Sequence, residues 1–173
     1  MRESHPFSPI IDENSKVLIL GTFPSFKSLE RGFYYSHPQN VFWRLLSDVF
    51  KEPQPNSVEE KISFLKRNKI ALWDMVATCS RESSLDSSLS GVEPNDIEDL
   101  LKRYPNIERL FFTGRKAQSI FEKFFGHLDI TRHYLPSPSP ANRKISYQEK
   151  LKAYRSIKFP DGQTCRKEQS YRN

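Results

Sequence analysis

The stretch Lys-Val-Leu-Ile-Leu-Gly at residues 16–21 shows most directly how this chain folds. Its continuous apolar run is typical of a strand that is buried on both faces, and Gly21 predicts a tight turn at its end. Three further apolar runs are predicted to be strands, at residues 70–76, 107–112 and 130–135. Segments with helical spacing separate the four runs, which predicts crossover connections and a mainly parallel four-stranded sheet with helices on both faces.

Predicted helices fill the intervals between these strands. Residues 41–50 place apolar side chains on one face, and Ser57 with Glu60 has the spacing of a capping box. The predicted helices cover residues 41–50 and 57–67, a segment that begins near Pro94, residues 114–126 and residues 147–157. The serine-rich segment 78–90 and the long connection 22–39 are predicted to be loops, and the aromatic residues of the connection indicate a functional loop.

Length and charge limit the classes of protein to consider. The 173 residues suffice for one domain with a buried core, which we assign to residues 1–158, followed by a basic tail at residues 159–173. A net charge of +6 and an aromatic content of 13% are compatible with a polyanionic partner whose bases can stack on aromatic rings. The same charge would also serve solubility alone, so it does not decide between these roles.

Cysteine content and apolar patterning exclude other classes. Cys79 and Cys165 are the two cysteines, which excludes an iron–sulfur or zinc site built from four cysteines. No apolar run has the length of a membrane span, and the polar residues 1–9 lack the apolar core of a signal peptide. We therefore expect a monomeric, cytoplasmic protein that does not enter membranes.

Unusual composition appears where the predicted strands end. In open parallel sheets, ligands bind beyond the carboxyl ends of the strands. The segments that follow the strands are residues 21–40, 74–90, 113–116 and 136–142. Two of them, Gly-Thr-Phe-Pro-Ser at residues 21–25 and Pro-Ser-Pro-Ser-Pro-Ala-Asn at residues 136–142, are rich in small residues and prolines. Such stiff loops expose backbone N–H groups that can hold a phosphate backbone and frame a slot for a base.

Several residues of these segments have two interpretations. Asn40 stands just before a predicted helix, where its side chain would cap the helix or aim a water molecule. Tyr34 and Tyr35 suit either the core or the face of a flipped base. Asp74 ends a strand as a turn carboxylate or as a reader of a base edge, and its protonation state is open.

Five short stretches, in order along the chain, resemble the hypoxanthine-DNA (deoxyinosine) glycosylases, the sixth group of the uracil-DNA glycosylase superfamily. That group reads approximately Gly-[Ser/Thr]-x-Pro, then Tyr-Tyr-x-His-Pro-x-Asn-x-Phe-Trp, then Leu-Trp-Asp and Ser-Leu-Asp-Ser, and finally Leu-Pro-Ser-x-Ser-Pro-Ala-Asn. The matching residues here are, in order, 21–24, 34–43, 72–74, 84–87 and 135–142. The resemblance covers roughly residues 15–157, and the combination of segments is far more specific than any one of them.

The resemblance implies a three-layer α/β/α sandwich around a central four-stranded parallel sheet. It further implies a monofunctional enzyme of base-excision repair that flips a deaminated base out of DNA and hydrolyses its N-glycosidic bond, without a metal or cofactor. Asn40 corresponds to the Asn that this group associates with catalysis. Its chemistry is suitable, because cleavage makes the sugar cationic and the base anionic, and an amide oxygen can orient the attacking water.

The expected site residues fall into two sets. Those expected to hold the base are Gly21, Thr22, Phe23, Tyr34, Tyr35 and Asp74. Those expected to contact DNA are Ser25, Arg115, Lys116, Ser137, Pro138, Ser139, Pro140, Ala141, Asn142 and Arg143. Within the second set, residues 140–142 would fill the gap left by the flipped nucleotide. Arg115 and Lys116, at the start of a predicted helix, would bind a phosphate or form a solvated pair of charges.

Two other functions remain open from the sequence. The same fold could act on uracil, xanthine or mispaired thymine, although Leu135 stands where uracil-specific relatives carry a His that stabilises the departing base. A basic α/β module could also bind damaged DNA without cleaving it, which the net charge supports equally well.

Overall fold

Strands and helices alternate along most of the chain. A computed structural model describes residues 2–158. The strands are β1 (Arg2–Ser4), β2 (Val17–Gly21), β3 (Ile70–Asp74), β4 (Val76–Ser80), β5 (Ser90–Pro94), β6 (Arg109–Thr113) and β7 (Thr131–Leu135). The α-helices are α1 (Phe26–Arg31), α2 (Phe42–Phe50), α3 (Val58–Arg67), α4 (Ile97–Arg103), α5 (Arg115–Phe125) and α6 (Tyr147–Tyr154). Short 3-10 helices cover Asp86–Ser88 and Arg155–Ile157.

The central sheet is parallel throughout, in the order β3-β2-β6-β7. Along β2, Val17 and Ile19 face one core, and Leu18 and Leu20 face the other. Helices α2, α3 and α6 cover the first face, while α4, α5 and strand β4 cover the second. The sequence prediction of a three-layer sandwich around four parallel strands is therefore confirmed.

A second, antiparallel sheet was not predicted. Its order is β1-β4-β5, with Ser4 opposite Thr78 and Val76 opposite Pro94. The predicted strand 70–76 ends at Asp74, and the predicted loop 78–90 is wrong in part because it contains most of β4. Val76 and Cys79 are the buried residues of β4, a sparse pattern that a serine-rich stretch hides from periodicity analysis.

Local signals account for most helix ends. Ser57 and Glu60 form both halves of the predicted capping box, and Gly114 and Gly126 flank α5 as predicted. Helix α4 begins after Asp96, slightly later than the predicted start near Pro94, because Pro94 is the last residue of β5. The predicted loop 22–39 also contains α1.

The predicted basic tail at residues 159–173 and Cys165 lie outside the described residues. Within residues 2–158, no helix combines the length and apolar character needed to span a membrane.

Helix α6 supports the Pro/Ser loop that follows β7. The hydroxyl of Tyr154, a fully buried residue, donates to the carbonyl oxygen of Pro136 at 2.8 Å, and Lys150 Nζ donates to that of Asn142 at 3.0 Å. Both ends of the loop are therefore attached to a helix packed in the core.

Removing the Tyr154 hydroxyl tests this support. Tyr154→Phe leaves the Pro136 carbonyl without its buried donor, and we expect a loss of about 1–3 kcal/mol in the free energy of unfolding. Tyr104→Phe, at the end of α4, removes a hydroxyl that has no hydrogen bond within residues 2–158 and serves as the control, with an expected change below about 0.5 kcal/mol. Urea denaturation of both variants is the measurement, and equal changes would contradict the assigned role.

Candidate functional site

A cavity of about 710 Å³ opens at the carboxyl ends of the central strands. Its walls come from the carboxyl-terminal ends of β2, β3, β6 and β7 with the loops beyond them, which is the edge that the sequence analysis selected, and from the segment after β4. The lining residues are 21–28, 34, 35, 37, 40, 74, 84–87, 113 and 137–142. Parallel strands place these loops side by side because all four strands end at the same edge.

Gly21 forms the floor of this cavity. A Cβ atom at this position would lie 2.5 Å from Asp74 Oδ1, 2.6 Å from the Tyr35 hydroxyl oxygen and 3.3 Å from Thr113 Oγ1. The carbonyl oxygen of Gly21 accepts from Met75 N at 2.8 Å, which fixes the turn. The missing side chain therefore creates the space in which three polar oxygens converge.

Asp74 is buried and paired with a histidine that the sequence analysis did not assign. His5 Nε2 lies 2.7 Å from Asp74 Oδ2, and the two side chains are 2% and 5% exposed. His5 follows β1, far from the recognised motifs in sequence, so periodicity and spacing offered no signal for it. The interpretation of Asp74 as a turn carboxylate does not account for this buried contact.

Asp86 is a second carboxylate in the cavity wall. Thr22 Oγ1 donates to its Oδ2 at 3.1 Å. Burial raises the pKa of Asp86, and the nearby charge of Asp74 raises it further, while the Thr22 hydrogen bond and Lys116 act in the opposite direction. The sequence analysis matched residues 84–87 to the family pattern but gave Asp86 no role of its own.

The two tyrosines have different surroundings. Tyr34 is buried, and its hydroxyl donates to the Ser8 carbonyl at 2.9 Å. Tyr35 has a positive φ of 51°, stacks on Phe42 with ring centroids 3.9 Å apart, and shares a 2.8 Å hydrogen bond with Thr113 Oγ1. Burial raises the pKa of both hydroxyls, so both tyrosines stay neutral. Both line the cavity and also pack in the core on the sheet face that α2, α3 and α6 cover.

Asn40 lines the cavity and lies beside the Pro/Ser loop at residues 136–142, which is the second loop of the site. Its Oδ1 accepts from the N–H of Phe42, the first residue of α2, at 2.9 Å. The N-cap position itself is held by Val41, which has no side-chain cap, so the interpretation of Asn40 as the N-cap is wrong by one residue. The next residue, Val41, donates its backbone N–H to the Pro138 carbonyl at 3.1 Å. An amide oxygen has two lone pairs, so the bond from Phe42 N leaves Asn40 one acceptor site and both N–H donors for another partner.

Internal hydrogen bonds stiffen the Pro/Ser loop. Ser139 N donates to Ser137 Oγ and Ala141 N donates to Ser139 Oγ, each at 3.2 Å. Asn142 Nδ2 donates to the Ser137 carbonyl at 3.0 Å. Each serine oxygen thus accepts within the loop, while its own hydroxyl hydrogen remains available to an external acceptor.

Arg81 holds the loop at residues 21–25, the first loop of the site, in place. The sequence analysis did not identify this residue. It donates to the Pro24 carbonyl at 2.6 Å and pairs with Glu3 at 2.9 Å, with only 2% of its side chain exposed. Its guanidinium carbon lies 4.8 Å from the ring centroid of Phe23 and 4.3 Å from that of Phe26. These contacts join the first loop to the small antiparallel sheet.

Some predicted DNA contacts lie outside the cavity lining. Arg115 is exposed, with its guanidinium carbon 3.6 Å from the ring centroid of Tyr134. Arg143 is also exposed, whereas Lys116 is half-buried. Ser25 lines the cavity and caps α1 by accepting from Ser28 N.

Two apolar side chains that the sequence analysis did not single out, Phe26 and Leu85, are 46% and 53% exposed in the cavity lining.

The cavity does not offer a set of metal ligands. Within the described part of the chain, no three His, Cys, Asp or Glu side chains converge in a way that could hold a metal ion.

Replacing Asp86 tests the cost of its buried charge. Because its pKa is raised in the folded state, ionisation of Asp86 opposes folding above that raised pKa, and the opposition disappears below the ordinary value of 3.8. Asp86→Asn keeps an oxygen for Thr22, so we expect a higher melting temperature than the parent at pH 7 and convergence of the two as the pH falls below 3.8. Thermal melts across this range are the measurement. Asp129→Asn, an equal charge change at an exposed position, should show no such pattern.

One family model and two named relatives match most of this chain. The family model described as the uracil DNA glycosylase superfamily matches residues 8–158. A protein of Methanosarcina acetivorans named hypoxanthine DNA glycosylase is 39% identical over 141 residues, which are 81% of this chain and 89% of the relative. A protein of the same name from Methanosarcina barkeri is 37% identical over 139 residues, 80% of this chain and 87% of the relative.

A solved structure has the same fold. The solution NMR structure of a candidate uracil DNA glycosylase from Methanosarcina acetivorans aligns with a TM-score of 0.77 and 35% identity, covering 91% of this chain and 99% of that one. The resemblance stated from the sequence motifs is thereby confirmed. The chain belongs to the uracil DNA glycosylase superfamily.

Proposed function

We propose that this chain is a monofunctional DNA glycosylase that removes hypoxanthine from deoxyinosine in DNA. Membership of the superfamily and two relatives named hypoxanthine DNA glycosylase support the activity and the base. The observation that carries the proposal is the position of Asn40, which lines the cavity and is joined through Val41 to Pro138 of the second loop. This is the arrangement that a flipped nucleotide held between two loops requires.

Hydrolysis proceeds by attack of water on C1′ of the deoxyribose. The water oxygen forms the new bond to C1′, the C1′–N9 bond breaks, and hypoxanthine leaves with its electron pair. The departing base anion takes up, through solvent, the proton that the water loses, and the products are neutral hypoxanthine and an abasic site. Asn40 orients the water through its second acceptor site, and since an amide does not take up a full proton, its contribution is alignment.

The base lies over Gly21. Backbone N–H groups of residues 21–23 and the Asp74 carboxylate hold its polar edge, and Phe23, Tyr34 and Tyr35 supply aromatic contact. The fixed turn at Gly21 supports this, because a donor held rigidly stabilises developing negative charge on the base without reorganisation.

DNA contacts extend outward from the cavity. Ser25 and the hydroxyl hydrogens of Ser137 and Ser139 bind flanking phosphates, while the segment 140–142 fills the gap left by the flipped nucleotide. Arg115, Lys116 and Arg143 add positive charge around this surface. The enzyme acts as a monomer in the cytoplasm, on DNA that contains a deaminated base.

Base release from a defined lesion tests the activity. A duplex with one deoxyinosine, incubated with excess protein, should release hypoxanthine detectable by chromatography and break at the lesion after alkali treatment. Matched duplexes with uracil or xanthine, in the same tube, should be processed more slowly. Tight, salt-sensitive binding without base release would instead identify a damaged-DNA-binding module.

Substitution of Asn40 separates alignment of water from the hydrogen bond that Asn40 makes to the first N–H of α2. We expect Asn40→Ala to lower the single-turnover excision rate on the order of a hundredfold or more, because the water loses its alignment. It should also lose about 1 kcal/mol of stability with the hydrogen bond to Phe42 N.

Asn40→Ser is the matched control. A serine hydroxyl can accept the Phe42 N–H in the same local turn but is too short to replace the amide, so this variant should keep parental stability and lose activity as the alanine variant does. Parental activity in both variants would remove Asn40 from the mechanism.

A further inference from the structure

The carboxylate at the cavity floor receives a hydrogen bond from a segment that the family model does not include. The matched region begins at residue 8, whereas His5 approaches Asp74 Oδ2 to 2.7 Å. His5 is held in place through its own backbone, since its N–H donates to the Ala77 carbonyl at 2.7 Å. The rings of Phe7, Phe23 and Tyr34 surround it, with centroids 5.7–5.9 Å away.

The second ring nitrogen of His5 identifies its tautomer. The backbone N–H of Phe7 donates to His5 Nδ1 at 3.3 Å. A backbone N–H only donates, so Nδ1 must present its lone pair, and the single proton of the neutral imidazole then lies on Nε2. Nε2–H therefore donates to Asp74 Oδ2, which is the acceptor in this 2.7 Å hydrogen bond.

Within residues 2–158, no other titratable group donates a hydrogen bond to the Asp74 carboxylate. Tyr34 and Tyr35 come from the connection before α2 and stay neutral, and Asp86, from the 3-10 helix after β4, carries charge of the same sign. Within residues 2–158, the Asp74 side chain has no other hydrogen-bond donor, and its second oxygen, Oδ1, stands beside Gly21 at the cavity floor.

We propose that His5 is a positioning residue that holds Asp74 as a pure hydrogen-bond acceptor, so that the cavity accepts purines with a proton at N1 and rejects those with a lone pair there. This inference rests on the proposed function. Hypoxanthine carries the N1 proton, which can be donated to Oδ1. Adenine, from which hypoxanthine arises by deamination, presents an N1 lone pair that would face Oδ1 acceptor to acceptor. A site built around a substrate N–H discriminates strongly because the mismatched partner leaves buried polar groups unpaired.

Base preference in His5 variants tests the proposal. The substrates are matched duplexes with one deoxyinosine or one deoxynebularine, whose unsubstituted purine has a lone pair at N1, and the readout is the ratio of single-turnover excision rates. His5→Phe removes the donor, so the Asp74 carboxylate is free to turn away from the cavity floor, and we expect the ratio to fall about tenfold, equivalent to about 1.4 kcal/mol. His5→Gln retains an N–H that can reach Oδ2 and should stay within about threefold of the parent ratio.

The control is His127→Gln, at an exposed histidine that pairs with Glu98 and takes no part in the site. It should keep the parent ratio. A parental ratio in a folded His5→Phe variant would overturn the proposal, and so would a His5→Gln variant that behaves like His5→Phe. A general structural effect would slow both substrates together and leave the ratio unchanged.

Nitrogen-15 NMR of the imidazole rings gives a readout that needs no activity. At neutral pH in the parent protein, His5 should show a protonated Nε2 and a bare Nδ1. Protonation of Nδ1 would overturn the inference regardless of the excision data. A parent protein that releases no base from deoxyinosine would contradict the proposed function, while a bare Nδ1 beside a protonated Nε2 would still support the assigned pairing of His5 with Asp74.

Discussion

The site depends on the absence of a side chain at residue 21. Strand β2 runs between β3 and β6, so Gly21 stands in register with Asp74, next to the end of β6 at Thr113. Any Cβ there would lie within 2.6 Å of both Asp74 Oδ1 and the Tyr35 hydroxyl, a separation that real contacts do not tolerate. The constraint is steric, since Gly21 has no positive φ angle. The parallel sheet thus brings three oxygens around one small residue and leaves the space above it open.

Rigidity of the surrounding loops comes from their own hydrogen bonds. The second loop uses Ser137, Ser139 and Asn142 to bind its own backbone, and Tyr154 anchors it from below. Arg81 gives the first loop a comparable anchor at Pro24. Groups that are fixed before the substrate arrives need no ordering at the moment of binding, which is the basis of preorganised sites.

Charge is divided between the surface and the cavity. The whole chain carries +6, which favours approach to DNA, whereas the cavity wall contributes two carboxylates, Asp74 and Asp86. Burying a carboxylate costs stability, and a hydrogen-bond partner offsets part of that cost for each, His5 for Asp74 and Thr22 for Asp86. The N-terminal segment, through His5 and through Glu3 on Arg81, therefore completes a site whose motifs lie elsewhere in the chain.

The sequence by itself determined the layered architecture and the edge that carries the site. Apolar runs such as residues 16–20 and caps such as Ser57 with Glu60 are local signals, and they depend only on neighbouring residues. Ordered motifs likewise pointed to Asn40 and Asp74. Only the tertiary structure decided that His5 and Arg81 belong to the site, and that a serine-rich stretch forms β4. These facts depend on contacts such as His5 with Asp74, 69 positions apart, and on backbone pairing between β1 and β4, which leave no periodic trace in the amino-acid sequence.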